Sequence, residues 1–293
     1  MPRLEILKTY KLYIGGAFPR TESGRYYKLQ NKQSEVIANM CLSSRKDFRN
    51  AVVAARAAFN DWSSRTHFNR GQILYRIAEM LEGRKTQFIE EMILQGSGSS
   101  QAESEVQLCI DRCVYYSGWC DKYTALFSSV NPVASSHFNF SVPEPMGVAS
   151  IIASEETSLL GILSVMLPVI AGGNTCVILA SESKPLCAIT LSEVLATSDL
   201  PGGVVNILTG NSNELYTHFS SHMDVNAVIY CRENKEEQKV IAENASLNVK
   251  RSFIWNKDWN DDENQNPYLI LDLQEIKTTW HPIENIGISG AKY

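Results

Sequence analysis

Two adjacent carboxylates, Glu155 and Glu156, follow the apolar run 148–152 almost directly. The run reads as a buried strand, and in an open α/β sheet ligands sit just beyond the carboxyl ends of the strands. Paired carboxylates suit acid/base work, but a glycosidase-type pair must face one bond from two sides. Neighbours on one loop rarely do that. The plainer role is charge at the N-terminus of the next helix, with Thr157 or Ser158 as a cap. A second constellation is His218, His222 and Asp224, with the i, i+4 spacing of a helical metal pair. In THFSSHMD no glutamate stands beside the first histidine and a strand begins at 225, so no metal site is expected. Cysteines are the third: Cys41, Cys109, Cys113, Cys120, Cys176, Cys187 and Cys231. Cys109, Cys113 and Cys120 share one helix without a second ligand cluster, which argues against zinc. Cys176 falls in a strand, Cys187 on a helix, and Cys231 at a turn with no histidine close by in sequence. A nucleophilic thiol needs surroundings that lower its pKa. None is visible, and small core residues are the expectation.

The elements that must position these groups come in two styles. After a short strand at 12–16, apolar residues recur at helical spacing in 47–62, with Val52, Ala55, Ala58 and Phe59 on one stripe. The same spacing runs through 69–94 and, after GSGSS at 96–100, through 102–124. HFNFSV, 137–142, alternates between Asn131-Pro132 and the prolines at 143 and 145, and reads as an exposed hairpin or edge arm. From Gly147 onward strands and helices alternate. Strands are expected at 147–152, 175–179, 203–208, 225–230 and 250–254, with helices at 157–171, 184–197, 211–220 and 233–246. Such alternation implies right-handed βαβ units and a doubly wound parallel sheet. DWNDDENQNP, 258–267, reads as an exposed polar loop before a last strand-like segment, EIKTTWHPI, 275–283.

Composition narrows the class. The chain has 293 residues, 44% hydrophobic and 20% charged, with 27 Lys+Arg against 32 Asp+Glu, a net charge of −5. That is the mix of a soluble globular protein, and no basic cluster offers the footprint of a nucleic-acid groove. The longest apolar stretch, 159–173, is short for a bilayer and broken by Pro168, so no membrane span is expected. MPRLEILKTYKLYIGG does not read as a signal peptide. Seven scattered cysteines fit reduced thiols and a cytoplasmic setting.

At PEPMGV, LPVIAGGNTCV and DLPGGVVNILTG the chain resembles the cofactor domain of the aldehyde dehydrogenases. LYIGGAF and the helical stretches 47–62 and 69–94 resemble the same family's N-terminal region, so the likeness runs from about residue 10 to 246. It resembles in particular the degenerate, truncated second repeat of family 16, the two-repeat aldehyde dehydrogenases. The resemblance implies a nicotinamide-binding domain, an oligomerisation arm, and a separate catalytic domain with a nucleophilic cysteine.

Position by position, the implied site departs from the family. The family strand ends in Pro-Trp-Asn, whose asparagine amide donates to an oxyanion; here stand Ala153, Ser154 and Glu155. An ionised carboxylate accepts hydrogen bonds and would repel that charge. The family's Lys-Pro-Ser-Glu, which reaches the adenosine ribose, is Leu179, Ala180, Ser181 and Glu182. Ser181 and Glu182 are thus vestigial cofactor contacts, or simply cap a helix. The glycine turn that admits the pyrophosphate to a helix N-terminus is Tyr230, Cys231, Arg232, Glu233 and Asn234, with Glu237 beyond. Two carboxylates now compete there with a phosphate, although Arg232 offers a charge that would bind one. Past residue 250, NVKRSFIWNKDWNDD (248–262) carries neither the family's Leu-Glu-Leu-Gly-Gly motif nor its cysteine. EIKTTWHPI resembles the strand that completes the family's arm.

The expected architecture is therefore α/β: a doubly wound, Rossmann-like parallel sheet with N-terminal helices, a projecting β-arm and no catalytic domain. Residues 1–254 form the cofactor-type domain with 131–146 as arm, 255–274 a polar linker, and 275–293 the C-terminal arm strand and tail. No catalytic or metal residues and no cofactor are expected. The expected role is assembly or regulation with another aldehyde dehydrogenase-like subunit or repeat, in a homo- or hetero-oligomer. The alternatives are an NAD-dependent aldehyde-oxidising unit whose cysteine comes from a partner chain or a missing part of the same product, and a nucleotide-sensing module.

Overall fold

Strands that are apolar along their whole length need cover on both faces, and a parallel sheet provides it. In the computed structural model, which describes residues 6–283, five such strands form the central sheet. Chain order starts with β1 (Thr9–Tyr10), β2 (Tyr26–Gln30) and β3 (Val36–Cys41), then α1 (Arg45–Ser64), α2 (His67–Gly83), α3 (Lys85–Leu94), α4 (Ser99–Trp119) and α5 (Tyr123–Phe127). Next come β4 (Ser129–Asn131), β5 (His137–Pro145), β6 (Val148–Ile152), α6 (Leu160–Ala171), β7 (Thr175–Leu179), α7 (Leu186–Ala196) and β8 (Val205–Leu208). The chain continues through α8 (Ser212–Ser221), β9 (Ala227–Tyr230), α9 (Lys235–Ser246), β10 (Arg251–Ile254), α10 (Tyr268–Leu271) and β11 (Gln274–Pro282).

The central order is β10-β9-β6-β7-β8, all parallel. Two crossovers build outward from β6 on one side before the chain returns to place β9 on the other. The reversal falls between β6 and β9, where Ile152 lies opposite Tyr230 on one flank and Leu179 on the other. This is the doubly wound arrangement expected from the alternation. One core packs α2, α3, α4, α6 and α7 on one face; the second places α1, α8 and α9 on the other. Helix α6 is buried on every side, which explains its uninterrupted apolar sequence.

Some local expectations change. The helix expected over 69–94 breaks at Arg84 into α2 and α3, and that over 102–124 ends at Trp119 before α5. Residues 12–16 are no regular strand: Tyr13 makes a two-bond bridge to Ile207 on the edge of β8. The three-stranded sheet β1-β3-β2 was not expected, because YYKLQ and VIANMC are short and only half buried.

The arm is the sheet β11-β5-β4, and β11 pairs with β5 over its entire length, from Gln274 opposite Pro145 to Pro282 opposite His137. Pro143 and Pro145 lie inside β5 rather than bounding it. They are tolerated because β4 pairs only with residues 139–141, so the strand has a single neighbour there. The stretch 255–274 is not a free linker: Trp255, Trp259, Leu269, Ile270 and Leu273 are buried in the larger core, so apolar contact holds it down. Much of 258–267 is exposed around Trp259. Residues 284–293 of the expected tail lie outside the described residues.

Candidate functional site

The carboxyl ends of β6, β7, β8 and β9 converge at the point where strand order reverses, the standard ligand crevice of this fold. Glu155, three residues past β6, reaches across it. Its carboxylate accepts hydrogen bonds from Ser181 Oγ (2.6 Å), the amides of Glu182 (3.0 Å) and Ser183 (3.2 Å), and Ser183 Oγ (2.8 Å). Successive amides after a strand make an anion-binding concavity, and here a side chain of the same protein fills it. Arg232, two residues past β9, closes the arrangement. Its guanidinium pairs with Glu155 at 2.7 Å and with Glu182 at 3.4 Å, and donates to the Ala153 carbonyl at 2.9 Å. Burial raises the Glu155 carboxyl, but Arg232 and the surrounding donors outweigh it and hold it below the ordinary carboxylate value.

Ser181 and Glu182, the expected cofactor contacts, are both engaged internally. Besides its bond to Glu155, Ser181 Oγ accepts from the Lys184 amide at 3.0 Å. The Glu182 carboxylate accepts from the amide of Ser212 at 2.6 Å, the first residue of α8. Glu182 therefore serves a helix N-terminus as expected, but that of α8 rather than the helix following it.

The turn after β9 is filled in the same way. The Asn234 side chain caps α9, accepting from the amides of Glu236 (3.1 Å) and Glu237 (3.2 Å). Tyr230 donates to Glu237 at 2.7 Å. At α6 the expected roles of Glu155, Glu156 and Ser158 do not hold, whereas Thr157 Oγ1 accepts from the Gly161 amide at 2.8 Å, as a cap would. The helix starts only at Leu160, and the residue at its N-cap, Leu159, has no side-chain acceptor to offer. Its amide donors meet Glu105 of α4 instead: the backbone N–H groups of Ser158, Leu159 and Leu160 all donate to one Glu105 oxygen, at 3.0, 2.8 and 3.1 Å. Nothing in QAESEVQL marks Glu105 for that task, since α4 and α6 meet only through tertiary packing. Glu156 is no partner for Glu155; its carbonyl accepts from Lys184 Nζ at 2.5 Å.

The other constellations separate. All seven cysteines are free and buried. Burial pushes the thiols of Cys120 and Cys231 up to about 12 and raises those of Cys109, Cys113, Cys176 and Cys187 as well. His222 Nδ1 accepts from the Asp224 amide at 3.2 Å, and no cluster of metal ligands occurs among the described residues. No helix among them is long and apolar enough to cross a membrane.

These groups do not fit a dinucleotide. Amides that would greet a pyrophosphate, at 182, 183, 212, 236 and 237, already donate to Glu155, Glu182 and Asn234. A phosphate in the crevice would displace those acceptors and lie against two carboxylates.

A sequence model of the aldehyde dehydrogenase family matches residues 18–254, most of the chain. The chain belongs to the aldehyde dehydrogenase family. It is 30% identical over 243 residues to an aldehyde dehydrogenase of Davidiella tassiana, covering 82% of this chain and 48% of that protein. It is 28% identical over 255 residues to the cytosolic 10-formyltetrahydrofolate dehydrogenase of Mus musculus, covering 85% of this chain and 28% of that protein. Among solved structures, PnpE from Pseudomonas sp. WBC-3 superposes with a TM-score of 0.79 at 26% identity, over 83% of this chain and 50% of that one. The chain thus spans about half the length of the curated aldehyde dehydrogenases it matches.

Proposed function

We propose that this chain is a non-catalytic family member, of the kind represented by the degenerate second repeat of family 16, acting in assembly or regulation. The observation that carries the reading is the Glu155–Arg232–Glu182 bridge across the crevice, with Ser181 and Ser183 completing it. A protein selected to bind NAD has no use for an internal anion in the amide cradle, whereas a scaffold gains a rigid sheet end from it. The arm supplies the docking element. Strand β11 has one paired edge, and Val130, Phe138, Ile276 and Trp280 are exposed on the arm. Unpaired backbone beside exposed apolar side chains suits strand addition by another aldehyde dehydrogenase-like subunit or repeat, in a homo- or hetero-oligomer. Seven free thiols suit a cytoplasmic setting.

Titration with NAD and NADH by calorimetry tests the closed crevice: millimolar or absent binding supports it, and micromolar binding refutes it. Mass in solution, alone and mixed with a full-length family member, tests assembly. A monodisperse monomer in both samples refutes that role. The second reading, an NAD-dependent aldehyde-oxidising unit completed by a cysteine from a partner or a missing part of the same product, draws support from Ser181 and Glu182 at the end of β7. It requires micromolar NAD binding and activity in the mixture.

A further inference from the structure

On the sheet face away from the larger core, α1 packs on α8 and the two helices bound a cavity of about 280 Å³. Its wall holds Arg45, Arg49, His218 and His222, with Phe48, Ser221 and Met223, and no carboxylate. Both basic pairs have i, i+4 spacing, so each turns two basic side chains toward the same space. Arg45 and Arg49 repel one another on α1, a pairing that weakens a helix. Arg45 is also the first residue of α1, where the helix dipole disfavours a cation.

Neighbouring cations have partners. Lys46 pairs with Glu22, Arg25 holds both oxygens of Glu214, and Lys250 donates to the His222 carbonyl at 2.8 Å. Among the described residues, Arg45 and Arg49 make no ion pair and no side-chain hydrogen bond. A dipole role at the end of α8 accounts for the histidines, but nothing in the folding of this chain accounts for two unpaired arginines opposite them. The floor is rigid: Phe48 stacks on Phe219 at 4.1 Å and meets the His222 ring edge-on at 5.8 Å. Because His222 Nδ1 accepts from the Asp224 amide, its neutral ring carries the proton on Nε2 and remains a donor.

We propose that this cavity is a binding site for a phosphate-class anion, held by the two arginine forks and the two imidazoles. Guanidinium forks match the oxygens of a phosphate, and the exposed Met223 at the rim leaves room for the organic part of a small phosphate ester. The site is separate from the sheet crevice and stands independently of the proposed role. In the free chain burial and then Arg45 lower the His218 pKa. His222 is lowered by burial, Lys250, Arg49 and Arg45 against an opposing Asp224. Of the remaining charges nearby, Glu214 is engaged by Arg25. A dianion in the cavity offsets the arginine field and raises the His218 pKa.

The test follows the imidazole resonances of the whole chain by NMR during titration with inorganic phosphate and, separately, glycerol phosphate, against chloride at equal ionic strength. Saturable shifts at His218 and His222 are expected with either probe, with the His218 pKa rising by about half a unit. Tighter binding of the ester assigns a phosphorylated small molecule, and equal binding assigns phosphate itself. R45Q/R49Q, whose altered side chains are exposed and unpaired, is expected to weaken binding by about tenfold or more, and H218Q to weaken it without the double change. Non-saturating shifts that chloride reproduces, or unchanged affinity in R45Q/R49Q with its spectrum otherwise intact, overturn the proposal.

Discussion

Replacing Glu155 by Gln keeps the shape of the side chain and removes its charge, and so isolates the electrostatics of the closed crevice. In the native chain the carboxylate accepts from Ser181 Oγ, Ser183 Oγ and two backbone amides and pairs with Arg232 at 2.7 Å. Hydrogen bonds to an ionised acceptor are roughly twice as strong as neutral ones, so each weakens by about 1 kcal/mol in the amide variant. Four such bonds set an upper limit of about 4 kcal/mol. The Glu155 side chain is 35% exposed, and solvent screening brings the expected loss to about 2 kcal/mol at pH 7. For a chain of this size that is about 4 °C in Tm. Because the folded pKa of Glu155 is depressed, its contribution is complete above the unfolded value, about 4.3, and disappears as pH falls through the folded value. Urea unfolding of wild type and E155Q from pH 7 down to pH 3 measures both features. The gap should be full at pH 6–7 and close below about pH 4. Equal stability at pH 7, or a gap that stays constant to pH 3, refutes the reasoning. Combining E155Q with Arg232→Met should give a loss smaller than the sum of the single losses, since both remove the same pair.

Three further outcomes follow from buried contacts. Glu105→Ala leaves three buried amides at the start of α6 unpaired and should cost about 3 kcal/mol or more in chemical denaturation, with Glu105→Gln losing roughly half as much. Trp259→Ala removes a side chain only 3% exposed and should cost about 3–5 kcal/mol. Limited proteolysis of that variant should then cut within 255–274; a stretch that stays resistant would show that Trp259 does not anchor it. Alkylation of the native chain with iodoacetamide at pH 7.5 should be slow at every cysteine and keep pace with unfolding, since all seven are buried. A fast phase amounting to one thiol per chain would show a reactive cysteine.

The alternation of apolar runs and helical stripes after Gly147 determines the doubly wound sheet, because strands buried on both faces and their crossover helices write their burial directly into local composition. The expected strand 175–179 matches β7, and the others fall within a few residues. Elements that owe their existence to a distant neighbour were less legible. Arg84 divides α2 from α3 while its guanidinium ion-pairs with Glu193, a contact no local pattern records. Trp259 lies in a polar stretch and is nonetheless core. The departure from the family pattern at Glu155 was visible in the sequence, as a residue type unsuited to an oxyanion, and so was the replacement of the glycine turn around Arg232, while Glu182 keeps the family's residue. That these three residues hold one another was not, since they follow three different strands and stand 27 and 50 positions apart. Sequence by itself determined which residue types stand at the ends of the strands. Only the tertiary structure decided how they pair, because carboxylate, guanidinium and free amides become partners when the sheet brings the ends of its strands together.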